Sequence, residues 1–353
     1  MTENLQHKIE NIISRNPQAD DRKIIYQLKQ LIYETEFQHY ADEDAKNIID
    51  LVAENLYRLG GEMYSKSVVK TGFNRFDTAL GGFLLGEFVV IGARPSVGKT
   101  QFLVNLSLNI SLTVPVLYVT LDLSDFSLTQ RFMACVSGIA VHNILRHGIN
   151  EEQTHRLSGE LAKRRLFIYS RSNGAVDELR AYCQKQIREN GIKVIVVDYL
   201  QLLATYNQRK YNRDFELSYI CRELKNMAKE NNICIIASSQ LSRAVESRNE
   251  PSPQLSDLRE SGAIEQDADM VLFLHRPDYP RLNDFEKLNA VSLTVAKNRN
   301  GILDTFELLR DDNFTRFQDA ENKFTFSTNR LNELGISGAK LYINNDFLEE
   351  PPF

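Results

Sequence analysis

Short apolar runs alternate with helical patterns along the chain from Thr71 onward. The runs have four to six residues, and segments whose apolar residues recur with helical spacing fall between several of them. Strands that alternate with helices are typical of a doubly wound, mostly parallel sheet. We therefore predict an α/β core with strands at 88–91, 116–121, 166–169, 194–197, 233–237, 270–274 and 291–295.

Residues 1 to about 60 carry helical patterns instead. Three sets of apolar residues each follow one helical face: Leu5, Ile9, Ile12 and Ile13; Ile24, Ile25, Leu28, Leu31 and Ile32; and Ile48, Ile49, Val52, Leu56 and Leu59. Pro17 ends the first helix, and Gly60-Gly61 ends the third. Two interpretations stay open: a small bundle that caps the core, or a helix that docks on a neighbouring subunit. We expect a helical segment over 1–65, the core over 66–318 and a polar extension over 319–353.

The composition narrows the class of protein. The 353 residues are 42% hydrophobic and 25% charged, as in a soluble globular protein. No apolar run reaches the length of a membrane span, and the polar N-terminus lacks a signal-peptide pattern. The four cysteines are widely spaced with no Cys-x-x-Cys pair, which indicates reduced thiols in a cytoplasmic protein rather than zinc ligands. Because the net charge is −5, any contact with nucleic acid must use a local basic surface.

The stretch Ala93-Arg94-Pro95-Ser96-Val97-Gly98-Lys99-Thr100 lies between the strand 88–91 and a predicted helix at 101–110. A strand, a loop ending in Gly-Lys-Thr and a helix are typical of the phosphate-binding loop of nucleoside triphosphatases. Ala93 departs from this pattern, which begins with Gly. Backbone N–H groups and Lys99 would contact the phosphates of ATP, and the Thr100 hydroxyl would bind Mg²⁺. The predicted nucleotide contacts are Arg94, Pro95, Ser96, Val97, Gly98, Lys99, Thr100 and Gln101.

Three polar residues follow predicted strands and complete the candidate site. Asp198 ends the run 194–197, where a phosphate-loop protein has the carboxylate that holds Mg²⁺ together with Thr100. Asp122 ends the strand 116–121, which we place beside the phosphate loop, and a carboxylate there can polarise the attacking water. Gln240 follows the strand 233–237 and can sense the γ-phosphate. The alternative for Gln240 is an ordinary polar residue at a strand end.

Two cations follow the last long predicted strand. Lys297 and Arg299 lie in Ala-Lys-Asn-Arg-Asn-Gly, and Asn-Gly is typical of a hairpin tip. In a ring of subunits, such a tip can bring an arginine finger to the nucleotide of a neighbour. The alternative is a solvated turn.

These residues resemble the DnaB-like hexameric replicative DNA helicases. The similar segments cover about 68 to 318 in order: Thr71-Gly72-Phe73 through Asp77, Gly81-Gly82, the phosphate loop, Asp198-Tyr199-Leu200-Gln201-Leu202, Ser239-Gln240-Leu241-Ser242-Arg243, Ser256-Asp257-Leu258-Arg259-Glu260-Ser261-Gly262, Ile264-Glu265-Gln266-Asp267-Ala268-Asp269, and the stretch from Ala296 to Gly301. The family also carries Ala at the first loop position, which accounts for Ala93.

The resemblance implies a RecA-like ATPase core that forms a hexamer around single-stranded DNA, with ATP and Mg²⁺ between subunits. Lys99, Thr100 and Asp198 would act in the subunit that holds the nucleotide, and Gln240 would sense it. Arg131 matches a nucleotide-contacting arginine of the family, and Lys297 and Arg299 match its trans-acting cations. The segment that grips DNA would contain Arg259, Glu260, Ser261 and Gly262, and Arg243 and Arg248 would either add to it or lie in an exposed loop.

Three features depart from the family. Asp122 stands where the family has Glu, one methylene longer, so hydrolysis is expected to be slow unless the backbone compensates. The residues before Thr71 are far fewer than the family's N-terminal domain and linker, which support the ring and meet primase. The acidic end, Glu349-Glu350-Pro351-Pro352-Phe353, is similar to the partner-binding tails of bacterial single-stranded-DNA-binding proteins; the alternative is a solvated tail.

The leading hypothesis is a DnaB-type helicase or translocase in DNA replication. Through its tail it would meet primase, a helicase loader or another replication protein. One alternative is an ATP-gated DNA-binding adaptor of the same fold with little or no unwinding. A more distant alternative is a recombinase of the wider RecA-like class.

Overall fold

A computed structural model describes residues 47–59, 67–171, 174–205, 213–243, 245, 248, 252–258, 261–276, 289–311 and 313–320, and, before these, residues 9, 10, 12, 14, 27, 28 and 31. The chain divides into two compact units, Met1–Lys66 and Ser67–Phe353. The first two predicted helices lie mostly outside the described residues, and the C-terminal tail lies wholly outside them.

Helix α1 of the first unit spans Ile48–Leu59, which confirms the third predicted helix. It begins after Asn47, whose side-chain oxygen accepts a hydrogen bond from the Ile49 N–H at 3.0 Å, as expected of a helix cap. Its apolar residues Ile48, Ile49, Val52 and Leu56 are exposed. Both interpretations of this face, a bundle or a docking helix, therefore stay predictions.

The second unit alternates strands and helices. In chain order its elements are β1 (Val68–Val69), α2 (Asn74–Leu80), β2 (Phe83–Leu84), β3 (Phe88–Ala93), α3 (Lys99–Ile110), β4 (Val116–Thr120), α4 (Asp125–Ser137), α5 (Val141–His147), α6 (Glu151–Ala162), β5 (Leu166–Ser170), β6 (Gly174–Ala175), α7 (Val176–Asn190), β7 (Val194–Asp198), β8 (Leu203–Ala204), α8 (Arg213–Asn231), β9 (Cys234–Gln240), α9 (Ser261–Asp267), β10 (Met270–His275), β11 (Ala290–Asn298), β12 (Thr305–Arg310) and β13 (Phe317–Asp319).

The central sheet of the described residues has nine strands in the order β13-β12-β11-β10-β3-β9-β7-β4-β5. Strands β10, β3, β9, β7, β4 and β5 are parallel, and β11, β12 and β13 extend the sheet antiparallel. All seven predicted strands are present. Strands β12 and β13 were not predicted, because β12 alternates buried with exposed residues and β13 has three residues, so neither forms an apolar run.

Helices cover both faces of the sheet, as predicted for a doubly wound fold. Val89 and Ile91 of β3 pack on the side where Phe102 and Leu106 of α3 lie. Phe88 and Val90 of the same strand pack on the opposite side, in a second core cluster that includes Leu217 and Leu224 of α8 and Ile264 of α9. Because both faces are covered, β3 is buried along its whole length, as is typical of a parallel strand.

One part of the predicted arrangement is wrong. The strand before Asp122 was expected beside the phosphate loop, but β9 and β7 lie between β4 and β3. The chain returns from β7 through α8 to place β9 next to β3, and this pairing fills the position that was expected for β4. The strand also ends at Thr120, so Asp122 lies in the bend that follows it.

The hairpin of β11 and β12 lies at the opposite edge of the sheet from the phosphate loop. Strand β3 ends in that loop at its carboxyl end, whereas β11 runs antiparallel to β10, so that Asn298 pairs with Met270 at the amino end of β10. Six residues of β3 span about 20 Å at ~3.3 Å per residue. The predicted hairpin is confirmed, and its cations lie about one strand length from the phosphate loop of the same copy.

Candidate active site

The loop after β3 has the backbone of an anion-binding turn. Ser96 and Gly98 have positive φ angles of 68° and 106°, and Gly98 is the residue from which α3 begins. A left-handed residue beside right-handed ones turns successive N–H groups toward one side and creates a concave site for an anion. Gly is required at 98, because a Cβ there would be strained and would lie 3.1 Å from the Phe317 ring.

A buried carboxylate lies under this loop. Asp198, at the end of β7, is 2% exposed, and its oxygens accept hydrogen bonds from three hydroxyls. Thr100 donates at 2.8 Å, Ser238 at 2.6 Å and Tyr118 at 3.2 Å. Burial, reinforced by the Asp198 charge, raises the pKa of Tyr118 well above its usual value, so this hydroxyl stays a donor; Arg131 is close enough to oppose that shift. The geometry brings Thr100 and Asp198 into direct contact.

Lys99 lies beside the same carboxylate. Burial lowers its pKa, while the charges of Asp198 and Asp122 raise it. The Lys99 ammonium is 4.6 Å from the centroid of the Tyr199 ring, within cation–π range. Asp122 is exposed, yet it acts electrostatically on both Lys99 and Tyr199. Asp122 therefore lies near the phosphate loop although its strand is not adjacent to that loop.

Gln240 is the last residue of β9 and is half-buried. The Gln201 side chain supports its backbone, since Gln201 Oε1 accepts a hydrogen bond from the Gln240 N–H at 3.3 Å and Gln201 Nε2 donates to Ser239 Oγ at 2.9 Å. The candidate sensor is thus tied to the turn that follows Asp198.

Two residues predicted to contact nucleotide have protein partners. Arg94 donates from Nη1 to the Leu241 carbonyl at 2.8 Å, and the Leu241 N–H donates to the Ala93 carbonyl at 3.1 Å. These bonds join the phosphate loop to the residue after Gln240. The buried Gln101 side chain donates to the Thr315 carbonyl at 2.6 Å, which leaves the backbone of Gln101 as the group that can meet a phosphate.

The segment predicted to grip DNA begins beside the sensor strand. The Ser242 N–H donates to the Asp257 carbonyl at 2.8 Å, and Leu241 forms an antiparallel bridge with Leu258. Asp257 is buried and pairs with both terminal nitrogens of Arg248, one of them at 2.8 Å. Arg248 is therefore held within the protein by Asp257.

The remaining predicted DNA residues are placed only in part. Arg259 and Glu260 lie outside the described residues. Ser261 and Gly262 form the first turn of α9, and Arg243 is exposed.

The hairpin cations bind the end of α9. Lys297 Nζ donates to the carbonyls of Ala268, at 2.6 Å, and Glu265, and Arg299 Nη2 donates to the Gln266 carbonyl. These carbonyls lie in or just after the last turn of α9, where a helix leaves its C=O groups without internal partners. Burial and the Arg299 charge lower the pKa of Lys297. The two cations are thus only partly solvated, with the Arg299 side chain 47% exposed.

The profile of the DnaB-like helicase C-terminal domain matches residues 68–319 of this chain. The chain belongs to the DnaB-like helicase family. It is 34% identical over 289 residues to the replicative DNA helicase DnaC of Bacillus subtilis and 36% identical over 290 residues to the replicative DNA helicase DnaB of Geobacillus stearothermophilus. These alignments cover 80% and 79% of this chain but 63% of each relative, so the chain spans less than two thirds of their length.

Two solved structures are similar to this DnaB-like chain. A solved ATPase domain of another protein has a TM-score of 0.71 and 32% identity, and the match covers 79% of this chain and all of that one. A structure of a DnaB-like replicative helicase and its interactions with primase has a TM-score of 0.74 and 30% identity, covering 90% of this chain and 76% of that one. The predicted RecA-like α/β fold is confirmed.

The donor groups of the DnaB-like site fit Mg²⁺ bound together with a nucleotide. Mg²⁺ is usually held by one or two carboxylates and by phosphate oxygens, and Thr100 and Asp198 supply a hydroxyl and a carboxylate in contact. In the described part of the chain, no group of three or more His, Cys, Asp or Glu is placed to hold a metal ion by itself. Within the same residues, no helix is both long and apolar enough to cross a bilayer.

Tyr118, Ser238 and the support from Gln201 were not predicted from the sequence. Ser238 and Gln201 carried a signal, since both lie in stretches already singled out for Gln240 and Asp198. Tyr118 carried none, because a tyrosine within an apolar strand looks like ordinary core.

Proposed function

We propose that this chain is an ATP-driven DNA helicase or translocase that works on single-stranded DNA as a ring, with six copies in the manner of its family. The observation that carries the proposal is the separation of the two halves of the site. The phosphate loop, Thr100 and Asp198 lie at the carboxyl edge of the sheet, and Lys297 and Arg299 lie at the amino edge, about 20 Å away by strand length. One copy cannot bring its own hairpin to its own loop, but a head-to-tail neighbour can, and such contacts generate rings.

Each residue then has a distinct task in ATP hydrolysis. The loop N–H groups and Lys99 bind phosphate oxygens, while Asp198 and Thr100 hold Mg²⁺, which when bound neutralises charge on the phosphates. Asp122 orients the attacking water, and Arg131 contacts the nucleotide. The neighbour's Lys297 and Arg299 stabilise the charge that builds on the γ-phosphate in the transition state.

The coupling to DNA follows the hydrogen bonds after Gln240. A shift of Gln240 toward a γ-phosphate would move Leu241 and Ser242, whose backbones are bonded to Leu258 and Asp257. The adjoining residues Arg243 and 259–262 would grip the DNA backbone in the central channel, where a few cations and N–H groups suffice for a protein that is acidic overall.

Contacts outside the ATPase core belong to the same proposal. The exposed apolar face of α1 fits a neighbouring copy, which would tie the ring together. One of the structures similar to this chain is described with its interactions with primase. We propose primase, a loader or another replication protein as a partner of this chain, held by the acidic tail that ends in Phe353.

The test is unwinding of a forked duplex together with ATP hydrolysis. Lys99→Ala should abolish both, and Arg299→Ala should lower kcat by about 10³-fold or more with little change in nucleotide affinity. Lys163→Ala is the matched control, because Lys163 is an exposed lysine whose nitrogen pairs with Glu160, three residues earlier on a helix surface. If Lys99→Ala unwinds at the parental rate, or a monomeric Arg299→Ala protein hydrolyses ATP at full speed, the proposal is wrong.

A second candidate is an ATP-gated DNA-binding adaptor of the same fold. Asp122 favours it, because this carboxylate is exposed and one methylene shorter than the Glu of the family. Steady-state hydrolysis with and without single-stranded DNA separates the two. Strong stimulation by DNA supports a motor, and binding of DNA without turnover supports the adaptor.

A further inference from the structure

A buried carboxylate lies next to the guanidinium of Arg299. Asp269, the residue before β10, has a side chain that is 7% exposed, and its Oδ1 is 3.7 Å from Arg299 Nη1. The Arg299 N–H also donates to the Asp269 carbonyl at 2.9 Å. Backbone and side chain of Asp269 therefore both face the arginine at the hairpin tip.

The other carboxylate oxygen of Asp269 is bound to the body of the sheet. Oδ2 accepts a hydrogen bond from the Phe88 N–H, at the start of β3, at 2.8 Å and pairs with Lys225 Nζ of α8 at 2.6 Å. These two partners fix the orientation of the carboxylate, so that Oδ1 is presented to Arg299 from a rigid base. The hairpin is held a second time, since Asn300 Nδ2 donates to Glu87 Oε1 at 2.7 Å.

The contacts leave Arg299 able to bind a further anion. A guanidinium has five N–H donors, and Arg299 is nearly half-exposed while it is bonded to the end of α9 and faces Asp269. An arginine that is fixed on one side and exposed on the other loses less side-chain freedom when it meets a phosphate, which is the advantage of a preorganised site.

We propose that Asp269 is the positioning residue for Arg299: it holds the arginine that one copy offers to the nucleotide of the next. The inference rests on the trans role of Arg299 proposed above. Asp269 touches neither nucleotide nor water in this arrangement, and its contribution to hydrolysis passes through Arg299.

Asp269→Asn tests this with little disturbance of the sheet. The Phe88 N–H requires an acceptor, so the amide oxygen should take the place of Oδ2, and the NH₂ group should then face Arg299 and repel it. We expect kcat for DNA-stimulated ATP hydrolysis to fall by about 10- to 100-fold while KM and the affinity for a fluorescent ATP analogue stay unchanged.

Two variants separate positioning from a merely structural role. Lys225→Met removes the other partner of Asp269 and should lower resistance to urea without lowering kcat. Asp269→Glu restores the charge, for which the 3.7 Å gap to Arg299 leaves room, and should have a higher kcat than Asp269→Asn. A kcat for Asp269→Glu no higher than that of Asp269→Asn contradicts a role of the charge.

The decisive comparison is the double variant Asp269→Asn/Arg299→Ala. If Asp269 acts through Arg299, the double variant hydrolyses ATP at the rate of Arg299→Ala alone. The inference is overturned if Asp269→Asn leaves kcat intact, or if it costs the same factor with and without Arg299. If Arg299→Ala lowers kcat and Asp269→Asn does not, only this inference fails; if Arg299→Ala itself leaves kcat unchanged, the proposed trans role fails as well.

Discussion

Replacing Tyr118 by Phe should weaken the folded ATPase unit by a defined amount. The change removes the hydroxyl that donates to Asp198 Oδ2 at 3.2 Å, and it leaves the aromatic packing in place. The ring of Tyr118 is fully buried and meets the Phe132 ring edge-on, with centroids 5.6 Å apart. A phenylalanine can keep that contact.

The size of the effect follows from the charge of the acceptor. A hydrogen bond to a charged group contributes about 1.5–3 kcal/mol to the free energy of unfolding. The observed length exceeds the usual O–H···O distance of about 2.7–2.8 Å, so we expect the low end, about 1.5 kcal/mol. With a urea dependence of about 3 kcal/mol per molar, the midpoint of unfolding should fall by about 0.5 M.

Urea unfolding followed by circular dichroism measures this difference. Tyr182→Phe is the matched control, since it removes the same hydroxyl from a half-buried tyrosine stacked on Tyr169 with ring centroids 3.8 Å apart. The control should stay within about 0.5 kcal/mol of the parent. Equal stability of Tyr118→Phe and Tyr182→Phe would refute the view that the Tyr118 hydroxyl stabilises the buried Asp198 carboxylate.

Three further predictions use other parts of the structure. Asp122→Glu should raise kcat by up to about 100-fold, since a displacement of about 1 Å can cost that much; unchanged or slower hydrolysis would contradict the role given to Asp122. Gly98→Ala should abolish binding of a fluorescent ATP analogue, because φ is 106° there, whereas Gly159→Ala, with nothing within 4 Å of the new Cβ, should bind normally. The native cysteines should resist iodoacetamide at pH 8, because burial raises the pKa of Cys135 and Cys183 to about 12 and leaves about 10⁻⁴ as thiolate; rapid labelling of the folded protein would argue against this burial.

The sequence predicted those parts of the site whose chemistry is local in the chain. The phosphate loop needs only a strand, a Gly-Lys-Thr stretch and a helix, all within residues 88–110. The hairpin needed only the Asn-Gly pair at 300–301 after a strand. Both signals are short, and both depend on the backbone freedom or charge of single residues.

The parts that were missed depend on contacts between distant segments. Tyr118 serves the site because β4 and β7 pair in a register that brings its hydroxyl to Asp198, 80 residues later. The sheet order was wrong for the same reason, since no local pattern says that β9 inserts between β3 and β7. Asp269 was part of the family resemblance, but its position beside Arg299 follows from the pairing of β10 with β11.

The stretch 257–267 is fastened at both ends by different parts of the protein. At its beginning, Ser242 from the strand of Gln240 is bonded to Asp257, and at its end Lys297 and Arg299 bind the last turn of α9. In a working ring the first attachment would respond to the ATP of its own copy, and the second to the ATP of the adjacent copy. Emptying one pocket would then loosen only one end of the stretch, so that a copy relaxes its hold on the strand in two stages and passes it along instead of dropping it.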